Sequence, residues 1–523
     1  MRPESIRRRL FDRPLAGGLC AVLALGGLSA LAVLTAVPAS AAACEPDGTN
    51  TRADIDGDGS ADVAVGMPWY GDQSGAVDLR FTGSAPVLLR SGALGAGTGE
   101  GDEFGAAVAV GDLDGDGCAD LVVGAPAEGQ SDASDGEGGI EGQVHLVFGK
   151  PGGIDTTGSI VLPHDSSGRN LDHFGETLAL VTRADAATGQ TVHDLYIGSP
   201  RATVAGHDLA GEVFQYTITP SATGRVKATL RQRWTQNSVG VPGSAETGDG
   251  FGSVLAATDL GGVLVGAPDE NVGSVRDAGS VWFLRVNAAG AAITSQGWSQ
   301  NSPGVVGSAE TDDHFGSALG ARGSEAVVGV PDEDSGSKAD SGMIQTFARN
   351  ASGKLAPAKG ITQDTAGIPG ALEAGDRFGA AVAVGVALVC QESDDVAIGA
   401  PGEDIGTRKD AGAITLVPLT TGSGCSPKAL RQGAGLAGGA EAGDEVGSVL
   451  GLTRAQNDLE EDYADRLLIG VPKEDLGAKS DAGIVQPARG GIRADGALHG
   501  YLAFSQGYLL TEYYGMVLSS ASN

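Results

Sequence analysis

The chain alternates short apolar runs with polar turns, and the pattern is clearest over residues 104–126, FGAAVAVGDLDGDGCADLVVGAP. Small and β-branched residues form one run, an Asp-rich loop follows, and a second apolar run ends in Gly-Ala-Pro. Runs of this length, bounded by Gly, Pro and Asp, predict two β-strands joined by a loop. Segments with a helical period are nearly absent, so the pattern indicates an all-β protein.

The second run recurs along the chain as a hydrophobic residue, Gly, a small or apolar residue and Pro. The copies are VGMP (65–68), VGAP (123–126), IGSP (197–200), VGAP (265–268), VGVP (328–331), IGAP (398–401) and IGVP (469–472). An aromatic-Gly or Val-Gly pair precedes all but the first, at Phe104-Gly105, Phe174-Gly175, Phe251-Gly252, Phe315-Gly316, Phe378-Gly379 and Val446-Gly447. The chain therefore repeats one unit of about 67 residues seven times.

The pair missing before the first copy lies near the other end of the chain, at Tyr514-Gly515. Gly515 follows Gly447 by 68 residues, the interval that also separates Gly379 from Gly447. A strand-rich repeat that closes head to tail predicts a β-propeller, because ring closure hides the sheet edges. We predict an all-β, seven-bladed propeller of four-stranded antiparallel blades. Strand A follows Phe-Gly, strand B precedes Gly-x-Pro, strands C and D lie outside them, and the C-terminal strand completes the first blade.

The first 43 residues differ from the rest of the chain. Arg7 to Arg9 precede an apolar run from Leu15 to Val37 and the small residues ASAAA, which predicts a secretory signal peptide cleaved near Ala41 to Ala43. A membrane helix is the alternative interpretation. We assign residues 1–43 to the signal peptide and 44–523 to the propeller, and expect a secreted, extracellular protein without membrane insertion.

The net charge of the chain limits the kinds of molecule that it is expected to bind. The formal net charge is −32, and it is −35 without the five Arg and two acids of residues 1–43. Such a charge disfavours nucleic acid and anionic membranes as partners. We expect a monomer that binds neither.

Four cysteines follow the predicted signal peptide: Cys44, Cys118, Cys390 and Cys425. An even number in a secreted protein predicts two disulfides. Proximity along the chain favours pairing Cys44 with Cys118 and Cys390 with Cys425. The other two pairings stay open at this point.

Two loops carry Asp at positions 1, 3, 5 and 9 and Gly at position 6, and the residue at position 7 offers a backbone carbonyl. Their candidate ligands are Asp54, Asp56, Asp58, Ser60 and Asp62 in the first acidic loop (residues 54–62), and Asp112, Asp114, Asp116, Cys118 and Asp120 in the second (residues 112–120). This spacing lets one tight turn aim several hard oxygens at a Ca²⁺ ion. Position 12, a bidentate Glu in helix-loop-helix sites, is Val65 or Val123 here, so each loop leads into a strand. We predict two calcium sites; a solvated acidic turn is the alternative.

A second set of acids repeats in the later units, in the loops between strands B and C and between strands D and A, which we call the rim loops. The B–C members are Glu270, Glu333, Glu403 and Glu474, each seven residues before Asp277, Asp340, Asp410 or Asp481. The D–A members are Gln236, Gln300, Gln363 and Gln432, then Glu246, Glu310, Glu373 and Glu441, then Asp249, Asp313, Asp376 and Asp444. Both kinds of loop leave an up-and-down blade at the same end. We expect each Asp before Phe-Gly to accept backbone N–H groups and pin a neighbouring blade's loop, while a ligand-binding acidic rim is the alternative.

These units resemble the FG-GAP repeats of integrin α-subunit head domains and of related secreted bacterial proteins. The resemblance covers about residues 54–523 and rests on the motif pair, its spacing and the acidic loops. It implies a seven-bladed propeller with calcium in the A–B hairpin loops. This chain departs from the family in having only two complete acidic loops, so the calcium prediction stops at those two.

The resemblance implies a secreted, calcium-binding adhesion or ligand-binding module, with an extracellular protein or carbohydrate as ligand. A lectin-like carbohydrate binder and a glycan-acting hydrolase on the acidic rim are the alternatives. Trp234 and Trp298, at equivalent positions in consecutive repeats, are candidates for stacking on a sugar, although packing between blades is the favoured interpretation. The sequence has no His-Glu-x-x-His and no Gly-x-Ser-x-Gly, and we expect no catalysis.

Overall fold

The computed structural model forms seven separate antiparallel sheets, one for each sequence repeat. It describes Cys44 and residues 53–71, 73–82, 84–95, 99–129, 142–164, 172–222, 225–286, 292–390, 393–419, 425–454, 465–476, 480–489, 504–505, 517–518 and 520–521. The predicted signal peptide, residues 1–43, lies outside the described residues. Within the described part, no helix is long and apolar enough to cross a membrane.

Each blade contains four strands, named A to D from the inside outwards. Blade 1 consists of Val517–Leu518, Val63–Met67, Ala76–Arg80 and Val87–Leu89; blade 2 of Ala107–Gly111, Asp120–Ala125, Gln143–Lys150 and Gly153–Pro163; blade 3 of Thr177–Ala184, Thr191–Ser199, Glu212–Pro220 and Val226–Trp234; blade 4 of Val254–Thr258, Gly262–Ala267, Ser280–Val286 and Ala292–Trp298; blade 5 of Ala318–Arg322, Glu325–Val330, Met343–Arg349 and Leu355–Ile361; blade 6 of Ala381–Val386, Asp394–Ala400, Ala413–Pro418 and Lys428–Gln432; and blade 7 of Val449–Arg454, Asp465–Val471, Ile484–Arg489 and Phe504–Ser505. The predicted strand order within the repeat is therefore confirmed.

The A strands form a closed ring, since each contacts the A strand of the next blade and the strand of blade 1 contacts those of blades 7 and 2. Blade 1 takes its A strand from the end of the chain: Val65 pairs with Leu518, and Gly66 with Val517, in antiparallel register. The predicted closure of the ring by the C-terminal segment is confirmed. Every blade of the propeller thus has its four strands.

Three short elements were not predicted from the sequence. Ser520–Ala521 pairs in parallel with Ala109 and Val110 of blade 2, so the end of the chain reaches a second blade beyond the one it completes. Gly435–Leu436 adds a parallel strand outside blade 6. Ser91–Leu94 forms a short 3₁₀ helix after strand D of blade 1.

The hydrophobic core is divided into clusters that lie between neighbouring blades, one at each of the seven junctions of the ring. The aromatic residue of the Phe-Gly pair is fully buried in five of these clusters: Phe104, Phe174, Phe251, Phe315 and Phe378. Val446 takes the same place at the junction of blades 6 and 7. Burial of a side chain of this size contributes about 1.5–3 kcal/mol, so the repeated motif supplies a large part of the contact between blades.

The two glycines of the motif meet across the five junctions between blades 2 and 7. A Cβ atom on Gly124 of blade 2 would lie 2.0 Å from the carbonyl oxygen of Gly175 at the start of blade 3, and one on Gly399 of blade 6 would lie 2.0 Å from that of Gly447. The same approach occurs between Gly329 and Gly379, at 2.1 Å. These positions require Gly because any side chain would push neighbouring blades apart.

Two disulfides join the cysteines as chain proximity favoured. Cys44 is bonded to Cys118, with 5.1 Å between their Cα atoms, and Cys390 to Cys425, with 5.9 Å. The first disulfide ties the segment before blade 1 to the A–B loop of blade 2. The pairing predicted from the sequence is confirmed.

Deletion of residues 514–523 is expected to lower the melting temperature, because it removes strand A of blade 1 and opens the cluster formed by Val63, Val65 and Leu468. Each lost ladder hydrogen bond is worth about 0.5–1.5 kcal/mol, and the loss of burial adds to this. Differential scanning calorimetry measures the change. Deletion of residues 519–523 is the matched control, since it leaves Val517–Leu518 in place and should cost less. Equal melting temperatures for the long deletion and the intact chain would contradict closure by this strand.

Candidate functional site

The first acidic loop enters strand B of blade 1 and brings three carboxylates together. Oxygen atoms of Asp54, Asp56 and Asp58 lie within 4.8 Å of one another. The turn is held by N–H groups: those of Asp58 and Gly59 donate to Asp54 at 3.1 and 2.9 Å. Gly57 and Gly59 have φ values of 71° and 86°, a left-handed conformation that Gly adopts without strain. The loop is therefore wound tightly around its own acids.

The second acidic loop, between strands A and B of blade 2, has the same backbone form. Gly115 and Gly117 donate N–H groups to Asp112 at 2.8 and 3.2 Å. Here the carboxylates within 4.8 Å of one another are those of Asp112, Asp114 and Asp120. Both loops thus present three convergent carboxylates, but different members of the predicted set supply the third.

The acid at position 9 of each loop has a structural task. Asp62 accepts N–H groups from Ile55 and Thr82 at 2.8 and 3.0 Å. Asp120 accepts N–H groups from Leu113 and Gly149 at 2.7 and 2.9 Å. Each of these carboxylates ties its loop to the outer part of its own blade. The sequence spacing predicts both Asp62 and Asp120 as calcium ligands and does not show these hydrogen bonds.

The remaining predicted ligands lie at the edge of each cluster. Ser60 and Cys118, at position 7, donate their N–H groups to Asp58 and Asp116 at 2.7 and 2.9 Å. Asp116 is outside the convergent set of the second loop. It also lies near the sulfur atoms of Cys118 and Cys44, which are joined in a disulfide and so do not form a metal site with it.

Burial disfavours the charged form of the carboxylates in the two acidic loops. Burial raises the pKa of Asp62 to about 7 and that of Asp112 to about 6. It also raises the pKa of Asp54 and Asp56, and the neighbouring charge of Asp58 adds to both shifts. Several hard oxygens that carry unfavourable negative charge in one tight turn fit a divalent cation, which would relieve that charge.

The rim loops connect neighbouring blades through four Gln–Glu hydrogen bonds, which we call the latches. In each latch a buried Gln from the loop before a blade donates its Nε2–H to the Glu in the B–C loop of that blade. The latches are Gln236–Glu270 at 2.6 Å, Gln300–Glu333 at 2.5 Å, Gln363–Glu403 at 2.6 Å and Gln432–Glu474 at 2.5 Å. The repeated Gln and Glu therefore hold each of blades 4 to 7 to the end of strand D of the blade before it.

The Asp residues before Phe-Gly do part of what was expected. Asp249 and Asp313 each accept the N–H of the Glu three residues earlier, both at 2.5 Å, and so close their own D–A turns. The contact with a neighbouring blade is also made by the side chains of the latches. Backbone hydrogen bonds add to this contact between blades. For example, Phe315 of blade 5 donates its N–H to the carbonyl oxygen of Ala278 in the B–C loop of blade 4 at 3.0 Å.

The second acid of each B–C loop shapes a turn. Asp277, Asp340, Asp410 and Asp481 have φ values of 48°, 50°, 52° and 52°, in the left-handed region that Asp tolerates better than most residues. Each donates its N–H to the side chain six residues earlier, as Asp340 does to Asp334 Oδ1 at 3.0 Å. Their regular spacing therefore reflects the loop's conformation.

Two histidines near blade 2 pair with acids of the rim loops, and sequence reasoning missed them because they have no fixed spacing. His145 Nε2 lies 2.6 Å from Glu128 Oε2, and His164 Nε2 lies 3.2 Å from Asp172 Oδ2. Glu128 occupies the place of the latch Glu in the motif GAP-x-Glu. Its partner His145 lies on strand C of the same blade, so this pair does not join two blades as the latches do.

Trp234 and Trp298 pack between and within blades. Trp234 is 3% exposed and donates its Nε1–H to Gln215 Oε1 at 3.2 Å. The ring of Trp298 lies 4.9 Å from that of Phe347 in blade 5. The packing interpretation holds for both, and Trp234 is too buried to stack on a sugar.

Comparison with known proteins agrees with the architecture. Residues 104–147 match the FG-GAP repeat family. The chain is 35% identical to Integrin alpha-PS2 of Drosophila melanogaster over 152 residues, which is 28% of this chain and 10% of that protein. It is 32% identical to Phosphatidylinositol-glycan-specific phospholipase D of Homo sapiens over 204 residues, 35% of this chain and 22% of that protein. It is 33% identical to Integrin alpha-6 of Gallus gallus over 137 residues, 24% of this chain and 11% of that protein.

The matches and the seven blades together identify an integrin-like FG-GAP propeller. The matched segments span only a tenth to about a fifth of these relatives' lengths. Similarity of this extent supports the propeller fold, and the acidic loops of this structure have groups that could hold a metal ion. It does not carry the activity of a whole relative.

The latches predict a pH dependence of stability. Burial raises the pKa of Glu270 to about 8 and those of Glu333 and Glu403 to about 7, whereas an unfolded Glu has a pKa of about 4.3. The folded state therefore binds protons that the unfolded chain has released, so this contribution to stability is present at acid pH and is lost as pH rises through about 8. In chelated buffer the melting temperature should fall between pH 5 and pH 8, and E270Q/E333Q/E403Q should flatten that fall.

The matched control is E246Q/E310Q/E373Q, which removes the same charge from exposed side chains of the same rim. It should leave the slope of melting temperature against pH nearer to that of the unmodified protein. Equal slopes for the two triple variants would refute the assignment to the latches.

Proposed function

We propose that this propeller is a secreted, calcium-stabilised module that binds an extracellular ligand and has no catalytic activity of its own. The observation that carries the proposal is the pair of acidic loops, each with three carboxylates within 4.8 Å, in a ring that resembles the integrin head. Two disulfides are consistent with an extracellular setting. Secretion, calcium and the monomeric state are parts of this proposal.

The proposed calcium sites consist of specific residues in each acidic loop. In the first loop Asp54, Asp56 and Asp58 would hold the ion; in the second, Asp112 and Asp114 with Asp120. The position-7 carbonyls of Ser60 and Cys118 are further proposed ligands, as are the carboxylates of Asp62 and Asp116. A bound Ca²⁺ supplies positive charge and accepts several oxygen ligands. The protein's residues fix the turns, since the loop glycines and backbone N–H groups already orient the acids.

The rim formed by the B–C and D–A loops is the proposed ligand surface. It combines acids with exposed aliphatic side chains: Val239 is 100% exposed, Val306 49% and Leu209 48%, in the rim loops around blades 3 to 5. Aliphatic contact next to negative charge suits a protein segment with basic and apolar residues. Because both rim tryptophans serve packing, a protein ligand is favoured over the carbohydrate ligand that remains the second candidate.

Removal of Ca²⁺ is expected to lower the melting temperature, because an ion that binds only the native state stabilises it by mass action. At a free Ca²⁺ concentration of 100 times Kd, each site contributes about 2.7 kcal/mol. Scanning calorimetry of protein treated with a chelator, then resupplied with Ca²⁺, gives the reversible difference. D56N and D114N should each reduce it.

D364N is the matched control for that experiment, because Asp364 is exposed in a rim loop and far from both acidic loops in sequence. It removes the same charge and should leave the calcium-dependent difference unchanged. An identical melting temperature after calcium has demonstrably been removed would defeat the proposed calcium role.

Substitution of the exposed rim aliphatics is expected to weaken ligand binding without unfolding the protein. We propose a synthetic peptide array graded in basic and apolar content, probed with the unmodified protein and with V239S/V306S, which removes the aliphatic groups and leaves the charge of the rim unchanged. Binding should increase with both properties and fall at least about tenfold in the variant, as losses at interface anchors do. L88S, on the outer strand of blade 1, is the control that leaves binding intact.

A glycan array and a hydrolysis screen run with the same samples separate the other functions. Retention of glycans with no response to peptides would replace the protein ligand by a carbohydrate. Turnover of a glycan or of a phosphatidylinositol-glycan would overturn the proposed lack of catalysis, a point raised by the match to the phospholipase D.

A further inference from the structure

The two acidic loops differ in what the neighbouring blade places against them. The hairpin between strands C and D of blade 2 lies against the first loop, where Gly152 donates its N–H to the carbonyl oxygen of Asp56 at 2.7 Å. The equivalent hairpin of blade 3 lies against the second loop, where a Cβ on Gly115 would be 3.6 Å from Pro220. Gly152 and Arg225 each stand directly before strand D of their blade. The same position is therefore a backbone donor at one loop and a cationic side chain at the other.

Arg225 reaches a carboxylate of the convergent set in the second loop. Its guanidinium lies 3.3 Å from Asp114 Oδ2. It also bonds Asp155 on strand D of blade 2 and stacks 4.8 Å above the ring of Phe148 on strand C. The guanidinium therefore has anchors outside the loop, and can keep them if Asp114 is taken by another cation.

Within the part of the chain that the structure describes, the first loop has no cation equivalent to Arg225. Among the described residues, no Lys or Arg side chain forms an ion pair with Asp54, Asp56, Asp58 or Asp62. A Ca²⁺ entering this loop meets carboxylates whose described partners are backbone N–H groups and the neutral side chain of Ser84. A Ca²⁺ entering the second loop competes with the positive charge of Arg225 and shares Asp114 with it, which weakens binding.

We propose that Arg225 makes the second acidic loop a weaker, exchangeable divalent-cation site, while the first loop is the tighter one. Occupation of the second loop releases Arg225 from Asp114 and leaves it on Asp155 and Phe148. Because blade 3 supplies Arg225 and blade 2 the loop, exchange of the cation alters a contact between two blades. This inference rests on the proposed calcium role of both loops.

Isothermal titration of calcium-free full-length protein with CaCl₂ tests the proposal. The unmodified protein should show two classes of site, with D56N losing the tighter class and D114N the weaker. Loss of a partly exposed ion pair corresponds to a change of about 2- to 5-fold in affinity. R225M should therefore lower the Ca²⁺ dissociation constant of the weaker class by at least that factor. The dissociation constant of the tighter class should not change. R225K, which keeps the charge, should stay close to the unmodified protein.

K227M is the matched control, because Lys227 is exposed on strand D of blade 3, two residues after Arg225. It removes the same charge without touching Asp114 and should leave both classes unchanged. A purely structural Arg225 would lower the melting temperature of calcium-free R225M without tightening the weaker class, and that result would overturn the proposal. Two sites of equal affinity that R225M does not alter would overturn it too, while the calcium role would stand. Failure of either loop to bind Ca²⁺ would instead defeat the proposed function.

Discussion

The close approach of glycine backbones between neighbouring blades is the constraint on which the rest of the structure depends. Gly124 of blade 2 and Gly175 of blade 3 come so near that a Cβ on the former would lie 2.0 Å from the latter's carbonyl oxygen. This distance sets how tightly the inner strands crowd around the axis. It also lets Phe174 enter the cluster between the two blades. The Gly-x-Pro and Phe-Gly pairs are separate in the sequence. In the structure they form one contact, between the B strand of one blade and the start of the A strand of the next.

The fold was predictable because its determinants are periodic. Strand patterns, the Phe-Gly and Gly-x-Pro pairs and the 68-residue interval to Gly515 each depend only on position along the chain. Ring closure followed from counting, and the pairing of Val65 with Leu518 agrees with it. The parallel strand at Ser520–Ala521 was not predictable, because two residues carry no pattern and their partner, Ala109, belongs to another blade.

The candidate site was predictable in composition but only partly in geometry. Spacing located both acidic loops, yet it did not show that Asp62 also accepts the N–H groups of Ile55 and Thr82. Arg225 was not predictable at all, since it meets Asp114 from a different blade, 111 residues further on. Contacts of this kind arise from the ring, which brings together loops that the sequence keeps separate.

Blade 1 needs contacts beyond strand pairing, because its A strand comes from the C-terminal part of the chain and its B strand from the N-terminal part. The A strand of blade 1 is joined to its B strand by only two paired residues within the described part of the chain. The disulfide between Cys44 and Cys118 spans 74 residues, and closing a loop of that size removes unfolded-state entropy worth about 4 kcal/mol in the chain-entropy model. Ala119 adds a bond from its N–H to the carbonyl of Asp54 at 2.7 Å. The first acidic loop leads directly into the B strand of blade 1, so a cation held there would stabilise the side of that blade at which the covalent chain does not continue from strand A.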